Sequence, residues 1–267
     1  RRYGGVYLVK KRQAYVRTEV GRLFGKKEFY FSVSGIVLIL FLSANDGMGH
    51  MGDSVLAAVL LSSYDAGFLL TFSLAAIPYA TAFTEELEYN YARYLVIRGN
   101  LRSYVFSKMF VIFLSSVLTM GIGITCFSVC CLAGLPWVDE GMMEYILQSG
   151  GYRYFLEHGY YLFWFFLYGT QWGILAGILS MAAAFCSLFL ANKLLVYSLP
   201  VLLYQMLTEF GADSFRKTAA FDPHIIFDAR YNIWNSDIKM FTWAFAAGAA
   251  AWLLFGLAGV RQLKRRM

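Results

Sequence analysis

The chain has 267 residues, of which 59% are hydrophobic, 18% aromatic and only 15% charged, with a formal net charge of +6. Soluble domains contain roughly 45–50% apolar and roughly 25% charged residues, so a water-soluble fold of this length could not bury so much apolar surface. Intrinsic disorder is excluded as well, because disordered chains are polar and poor in aromatic residues. The composition predicts a polytopic membrane protein.

Six apolar stretches are long enough, or nearly long enough, to cross a membrane, which takes about 20 residues in a helix. The predicted spans are residues 29–45, 66–83, 107–134, 160–190, 194–209 and 240–260. We expect helices, because a helix satisfies its own backbone hydrogen bonds in lipid. The fold class is therefore all-α, with one transmembrane domain over residues 1–267. The fifth span is short and contains Pro200.

The basic residues are divided unequally between the two sides of this six-span arrangement. Residues 1–28, 85–108, the turn near Lys193 and residues 261–267 carry 18 of the 23 Lys and Arg residues, but only 5 of the 17 acidic ones. Cytoplasmic loops carry an excess of Lys and Arg, so this side is predicted to be cytoplasmic. Both termini then lie in the cytoplasm, as an even number of spans requires.

Glycines recur at every fourth position in the fourth span, at Gly169, Gly173 and Gly177. Small residues at this spacing allow another helix to approach closely, so the three glycines are predicted helix-packing positions. The alternative is that glycine is simply more frequent in membrane helices than in soluble ones.

A cytoplasmic amphipathic helix is predicted between the second and third spans, from Thr84 to Arg98. Thr84 is the expected N-cap, and Glu85 and Glu86 would follow in the first turn, where the helix dipole favours acidic residues. An apolar face recurs with helical spacing. The residues that we expect to face a partner are Glu85, Glu86, Leu87, Tyr91, Arg93, Leu95 and Arg98. The alternative is a solvated connector that lies on the lipid surface.

A second amphipathic helix is predicted at residues 10–27, before the first span. Its apolar stripe consists of Val16, Val20, Leu23 and Phe24, with basic residues on both sides. This pattern is typical of a helix that lies in the membrane interface.

Together these features resemble a known family. Phe83-Thr-Glu85-Glu86 opens the predicted cytoplasmic helix, Arg93-Tyr-Leu-Val-Ile-Arg98 follows, and Tyr104 and Ser107-Lys108 lead into the third span. The sequence resembles the permease subunits of ABC-2 type exporters, the type V architecture with six helices. The resemblance covers the whole chain in topology and specific residues over about 83–108. The segment 211–239 is similar to the family's outer re-entrant segment.

The resemblance implies a partner. The stretch Gly21-Arg-Leu-Phe-Gly25-Lys26-Lys27 is one residue too short for a phosphate loop, and Lys27 stands where Ser or Thr would bind magnesium. We therefore expect no cofactor in this chain, with ATP and Mg²⁺ bound and hydrolysed by a separate soluble ABC ATPase subunit. The other expected partners are a second permease copy, identical or related, and membrane lipid, but no nucleic acid. The expected location is the plasma membrane, of the bacterial inner-membrane kind.

The resemblance implies an exporter that works by alternating access, with a cavity formed by the second and fifth spans. The candidate pathway residues are Phe68, Phe72, Tyr197, Tyr204 and Met206. An aromatic and weakly charged pathway would suit an amphipathic peptide or a hydrophobic compound. We expect no catalytic residues and no metal site. Two alternatives remain open: an immunity or sensor subunit with this architecture that does not transport, and an integral-membrane enzyme that modifies lipids.

Overall fold

The computed structural model describes residue 16 and residues 18–45, 52–88, 101–190, 192–209 and 221–266. Within these ranges the regular structure is helical and contains no β-strand. Residues 18–25 form a short helix before the first long one. The helices that follow are α1 (Lys27–Ala44), α2 (Val55–Ser62), α3 (Leu69–Ala76), α4 (Ala82–Glu88), α5 (Leu101–Cys131), α6 (Glu140–Ser149), α7 (Arg153–Glu157), α8 (Tyr161–Ser187), α9 (Lys193–Glu209), α10 (Pro223–Ile226) and α11 (Asp237–Arg266).

Four of these helices, α1, α5, α8 and α11, are long and apolar enough to cross a membrane. They coincide with four of the six predicted spans. The predicted span at residues 66–83 is different: α2 and α3 pass the same test only as a pair, and they are bent by 76° at the break between them. Helix α9 covers the predicted fifth span, but it has only 17 residues, with Pro200 inside it.

Two apolar cores lie at opposite ends of the long helices. One core, which we call the Trp164 core, contains the end of α5, the start of α8 and the start of α11. The other, the Tyr104 core, contains the start of α5, the end of α8 and the end of α11. Leu23 and Leu263 both belong to the Tyr104 core, so the first and last described helices meet at one end of the bundle.

The two shorter elements also connect the cores. The bent pair α2–α3 begins in the Trp164 core and is followed by Tyr79 in the Tyr104 core. Helix α9 contributes Val196 to the Tyr104 core and Tyr204 to the Trp164 core. Six elements therefore run alternately up and down through the bundle: α1, the bent pair, α5, α8, α9 and α11.

Helices α5 and α8 form the centre of the bundle. In their most apolar windows, 61% and 67% of the residues are buried, against 28% for α1 and 33% for α11. The three predicted packing glycines of α8 all face α5. A methyl group on Gly173 would lie 2.8 Å from the Cα atom of Val117, and one on Gly169 would lie 3.0 Å from the Cα atom of Gly121. Glycine is required here because the two backbones leave no space for a side chain.

The start of α2 is held by the loop that follows α5. The backbone N–H groups of Val55 and Leu56 donate to the carbonyls of Pro136 and Trp137, at 2.8 and 3.1 Å. The hydroxyl of Ser54 caps α2 by accepting a hydrogen bond from the Ala57 N–H. The first turn of a helix leaves such N–H groups without partners inside the helix, so these contacts fix where the bent pair begins.

Candidate functional site

A buried ion pair lies at the Tyr104 end of the bundle. The ammonium group of Lys108 on α5 is 2.5 Å from a carboxylate oxygen of Glu86 on α4. Tyr104, one turn before Lys108, donates its hydroxyl to the same carboxylate. Lys108 is 2% exposed and also donates to the carbonyl of Ala82 at 3.1 Å. A buried charge is tolerated when it is paired and hydrogen-bonded, and this lysine has both kinds of partner.

Two aromatic rings complete the surroundings of Lys108. Its ammonium nitrogen lies 5.4 Å from the centre of the Phe83 ring and 5.3 Å from the centre of the Tyr104 ring. Both distances are within the range of a cation–π interaction. We call Phe83, Glu86, Tyr104 and Lys108 the Glu86 cluster.

Polar contacts also connect residues 18–26, which precede α1, to residues next to this cluster. Glu19 accepts a hydrogen bond from the Tyr79 hydroxyl, and Lys26 lies 3.5 Å from Glu85. Three segments, residues 18–26, α4 and the start of α5, are thus joined by polar contacts at one end of the bundle.

The helix predicted at Thr84–Arg98 differs from the prediction in where it begins and in what its acidic residues contact. Helix α4 begins at Ala82, so the prediction that Thr84 is its N-cap is wrong: Thr84 lies inside the helix and is buried. The carboxylate of Glu85 instead accepts a hydrogen bond from the Thr81 hydroxyl at 2.9 Å. Both acidic residues of the first turns already have a cation within the chain.

The remaining predicted partner-facing residues are divided. Leu87 belongs to α4. Tyr91, Arg93, Leu95 and Arg98 lie outside the described residues, as do the last ten residues of the predicted helix.

A second buried ion pair lies at the Trp164 end of the bundle. The Arg230 guanidinium is 2.5 Å from a carboxylate oxygen of Asp228, and the two side chains are 5% and 2% exposed. Burial raises the pKa of the Asp228 carboxyl above its ordinary value, and Arg230 opposes this shift. The guanidinium carbon also lies 3.8 Å from the centre of the Tyr64 ring, a cation–π contact. A weak hydrogen bond of 3.4 Å reaches the Leu60 carbonyl at the end of α2.

Aromatic residues from three helices meet beside this pair. Phe68 lies edge-to-face against Trp172 of α8, with ring centres 5.2 Å apart, and Phe72 of α3 stacks on Tyr204 of α9 at 4.6 Å. Three of the five candidate pathway residues, Phe68, Phe72 and Tyr204, are therefore brought into one group.

The other two candidate pathway residues lie apart from this group. Tyr197 accepts a hydrogen bond at its backbone carbonyl from Ser73, and Met206 is 57% exposed. That the five residues line a transport pathway stays a prediction.

A cavity of about 380 Å³ opens between the bend of α2–α3, α8, the end of α9 and residues 224–231. Aromatic rings form much of its wall, and the charged groups of the described lining are two carboxylates and one guanidinium. Its lining includes Tyr64, Asp65, Phe68, Trp172, Tyr204 and Arg230. We call this cavity the Arg230 pocket.

Polar contacts behind the pocket fix the loop that carries Arg230. The amide of Gln171 on α8 donates to the Ile226 carbonyl at 2.7 Å and accepts from the Tyr152 hydroxyl at 2.8 Å. The Tyr168 hydroxyl is 2.8 Å from the hydroxyl of Ser63 at the helix bend. Helix α8 therefore positions both walls of the pocket.

Sequence reasoning did not single out Asp228, Arg230 or Trp172. The signal for the first two was present: opposite charges two positions apart follow the apolar run Ile225-Ile226-Phe227. Two opposite charges close together in an otherwise apolar stretch indicate that both side chains are buried and neutralise each other.

Among the described residues, no group of three or more His, Cys, Asp or Glu side chains is close enough to hold a metal ion. Comparisons with family models, with curated proteins and with solved structures found no match to this chain.

Proposed function

We propose that this chain is the permease subunit of an ATP-driven exporter of the ABC-2 type. The observation that carries the proposal is the Glu86 cluster. The residues that resemble the family's motifs come from two separate stretches, Phe83–Glu86 and Tyr104–Lys108, and their side chains meet at one end of the bundle. A shared contact supports the view that the two motifs serve one task.

The path of the chain supports six crossings with both termini in the cytoplasm. Six elements alternate between the two cores, although four of them alone have ordinary spanning length. The bent pair would cross with its bend in the outer half, and α9 would cross as a short helix. The Tyr104 end would face the cytoplasm, since it holds Leu23 and Leu263 beside the two most basic segments of the chain.

In the proposed mechanism, a separate ATPase contacts α4 and the chain that follows it. A displacement of α4 would reach α5 through the Glu86–Lys108 pair, and the N-terminal helix through Lys26 and Glu85. The ATPase cycle would thereby shift a cavity between α3 and α9 from inward-open to outward-open. To move such an equilibrium from 1:99 to 99:1, the two nucleotide states must differ in their preference by about 5.5 kcal/mol.

Charge reversal at Glu85 tests the ATPase contact. Glu85 is better suited than Glu86, whose reversal would place two cations in a buried site. We expect Glu85→Lys to reduce the recovery of the cognate ABC ATPase when the two proteins are co-expressed at matched membrane levels. Glu144→Lys is the control, because Glu144 is an exposed acid on α6, at the other end of the bundle.

A charge-swap variant separates the contact within the chain from the contact with the ATPase. Lys26→Glu/Glu85→Lys rebuilds the pair with its polarity reversed. If the swap restores ATPase recovery and transport, Glu85 acts only inside the chain and the proposed contact is incorrect. A further measurement is ATP-dependent export by this chain and the ATPase reconstituted together in vesicles. Export would indicate a permease, whereas a sensor or immunity subunit would bind the ATPase without net transport.

Sidedness is tested without any ATPase. In a background with the four native cysteines replaced, a cysteine at Gly141 should react with an impermeant maleimide from outside the cell, and one at Asn100 should react only after the cells are opened. Labelling of Asn100 from outside would contradict the six-span arrangement.

A further inference from the structure

The Arg230 pocket has a charge balance that is unusual for a site with a buried arginine. The guanidinium is paired with Asp228 at 2.5 Å and its face is covered by the Tyr64 ring at 3.8 Å. An ion pair this close carries no net charge, and the ring lies over one face of the positive group. Arg230 therefore contributes little repulsion toward a second cation.

The second carboxylate of the lining, that of Asp65, has no such partner among the described residues. Asp65 is exposed at the mouth of the pocket, and its side chain accepts a hydrogen bond from the Gly67 N–H at 2.8 Å. No described lysine, arginine or histidine lies within ion-pair distance of it. The described lining therefore carries one uncompensated negative charge.

The deeper wall is aromatic. Phe68 and Trp172 contact each other at 5.2 Å, and one face of Tyr204 is covered by Phe72 at 4.6 Å. Trp172, Tyr204 and Phe68 all line the cavity. The faces of aromatic rings carry negative electrostatic potential and attract cations, tryptophan most strongly.

We propose that the Arg230 pocket binds an organic cation, an amine or quaternary ammonium or phosphonium ion with an apolar body. The aromatic wall would hold the cation and its apolar groups, and Asp65 would attract the charge at the entrance. The cavity volume of about 380 Å³ lies within the range of about 300–1,000 Å³ that is usual for small-molecule sites. This inference rests on the proposed function, because it names the substrate class of the exporter.

Equilibrium dialysis of the purified full chain tests the site without the ATPase. The probe is radiolabelled tetraphenylphosphonium, with protein in neutral maltoside micelles and protein-free micelles as the blank for partitioning. Tetraphenylborate has nearly the same size and shape and the opposite charge, and it is dialysed in separate cells because the two ions would pair in one solution. At pH 8 and low salt we expect saturable binding of the phosphonium and no saturable binding of the borate.

Substitutions in the pocket separate the aromatic and the ionic contributions. Tyr204→Leu removes a ring face and should weaken phosphonium binding about three- to tenfold, whereas Tyr204→Phe should stay within about twofold of wild type. Asp65→Asn should weaken it about two- to fivefold at low salt and less at high salt, while its side-chain oxygen can still accept the Gly67 N–H. Phe245→Leu, at an exposed ring on α11, is the control and should have no effect.

Three results would overturn the inference: no saturable phosphonium binding above empty micelles, equally strong saturable binding of the borate, or wild-type phosphonium binding in both Tyr204→Leu and Asp65→Asn. None of them bears on the proposed function, which depends on co-purification with the ATPase. Conversely, saturable binding that is sensitive to Tyr204 and Asp65 would stand even if no ATPase associates with the chain.

Discussion

The Glu86 cluster and the Arg230 pocket each bury one cation beside one carboxylate, but the two pairs are assembled differently. Glu86 and Lys108 are 22 positions apart and belong to different helices, so their contact depends on how α4 packs against α5. Asp228 and Arg230 are two positions apart, and their contact is held within one loop. Both pairs are covered by aromatic rings.

This difference indicates which pair can respond to movement. A displacement of α4 relative to α5 would break the Glu86–Lys108 contact, whereas Asp228 and Arg230 would move together with their loop. The first pair is suited to transmit a mechanical signal between segments, and the second to provide a constant, neutral wall for a cavity. Removing one partner should therefore have different consequences at the two sites.

The largest effect is expected from Lys108→Met. Glu86 would keep the Tyr104 hydroxyl but lose its cation in a buried site, which costs about 3–5 kcal/mol of the free energy of unfolding. The measurement is denaturant-induced unfolding of the purified protein in micelles, followed by tryptophan fluorescence. The double variant Glu86→Gln/Lys108→Met should recover most of the loss, because no charge remains buried. A single variant as stable as wild type would mean that the pair is not buried in solution.

The next effect, near the lower end of the range of about 3–5 kcal/mol for a broken buried pair, is expected from Arg230→Met near neutral pH. Burial already raises the pKa of Asp228, and loss of Arg230 raises it further. A folded-state pKa above the unfolded one favours the folded protein as the pH falls, because the neutral carboxyl is cheaper to bury. The deficit should shrink when unfolding is measured at about pH 5 instead of about pH 8. In Asp228→Asn/Arg230→Met this change with pH should disappear, and a deficit independent of pH in the single variant would contradict the explanation.

The smallest effect is expected at the pair Lys26–Glu85, whose side chains are 28% and 37% exposed. Exposed ion pairs contribute about 0–1 kcal/mol, so Glu85→Gln should change the free energy of unfolding by less than about 1 kcal/mol. The difference from wild type should vanish at high salt, where exposed charges are screened. A loss comparable to that of Lys108→Met would show that the pair is buried and belongs with the Glu86 cluster.

The four long helices could be predicted because each contains a continuous apolar run of 17 residues or more, longer than the roughly 10–14 residues of a core helix. The bent pair could not be predicted, because Ser63 and Asp65 interrupt the apolar run. The sequence does not indicate which of the two flanking segments belongs to the membrane span. The cap of α4 was misplaced for a related reason. Thr81 and Thr84 are both possible caps by residue type, and the helix begins directly after Thr81, at Ala82.

The two sites were predictable to different degrees. The aromatic residues Phe68, Phe72 and Tyr204 were candidates because the family resemblance implies a cavity between the second and fifth spans. The structure brings these three side chains together, and their role in transport stays a prediction. The pairing of Glu86 with Lys108 could not be read from the sequence, where the two residues belong to different predicted elements. Trp172 was missed because nothing in a uniformly apolar helix distinguishes the residue that reaches the cavity.

The glycine contact between α5 and α8 has a consequence for movement in the bundle. Where Gly169 and Gly173 meet the backbone of α5, no side chains lie between the helices that could change rotamer and let one slide past the other. We therefore expect the two helices to move together as one rigid unit, about 40 Å long at a rise of about 1.5 Å per residue. If the bundle opens, the elements that move are therefore the shorter ones around this rigid unit, above all the bent pair α2–α3 and the proline-containing α9. Both of these elements form walls of the Arg230 pocket. A movement of either one relative to α5 and α8 would therefore alter the shape of the pocket.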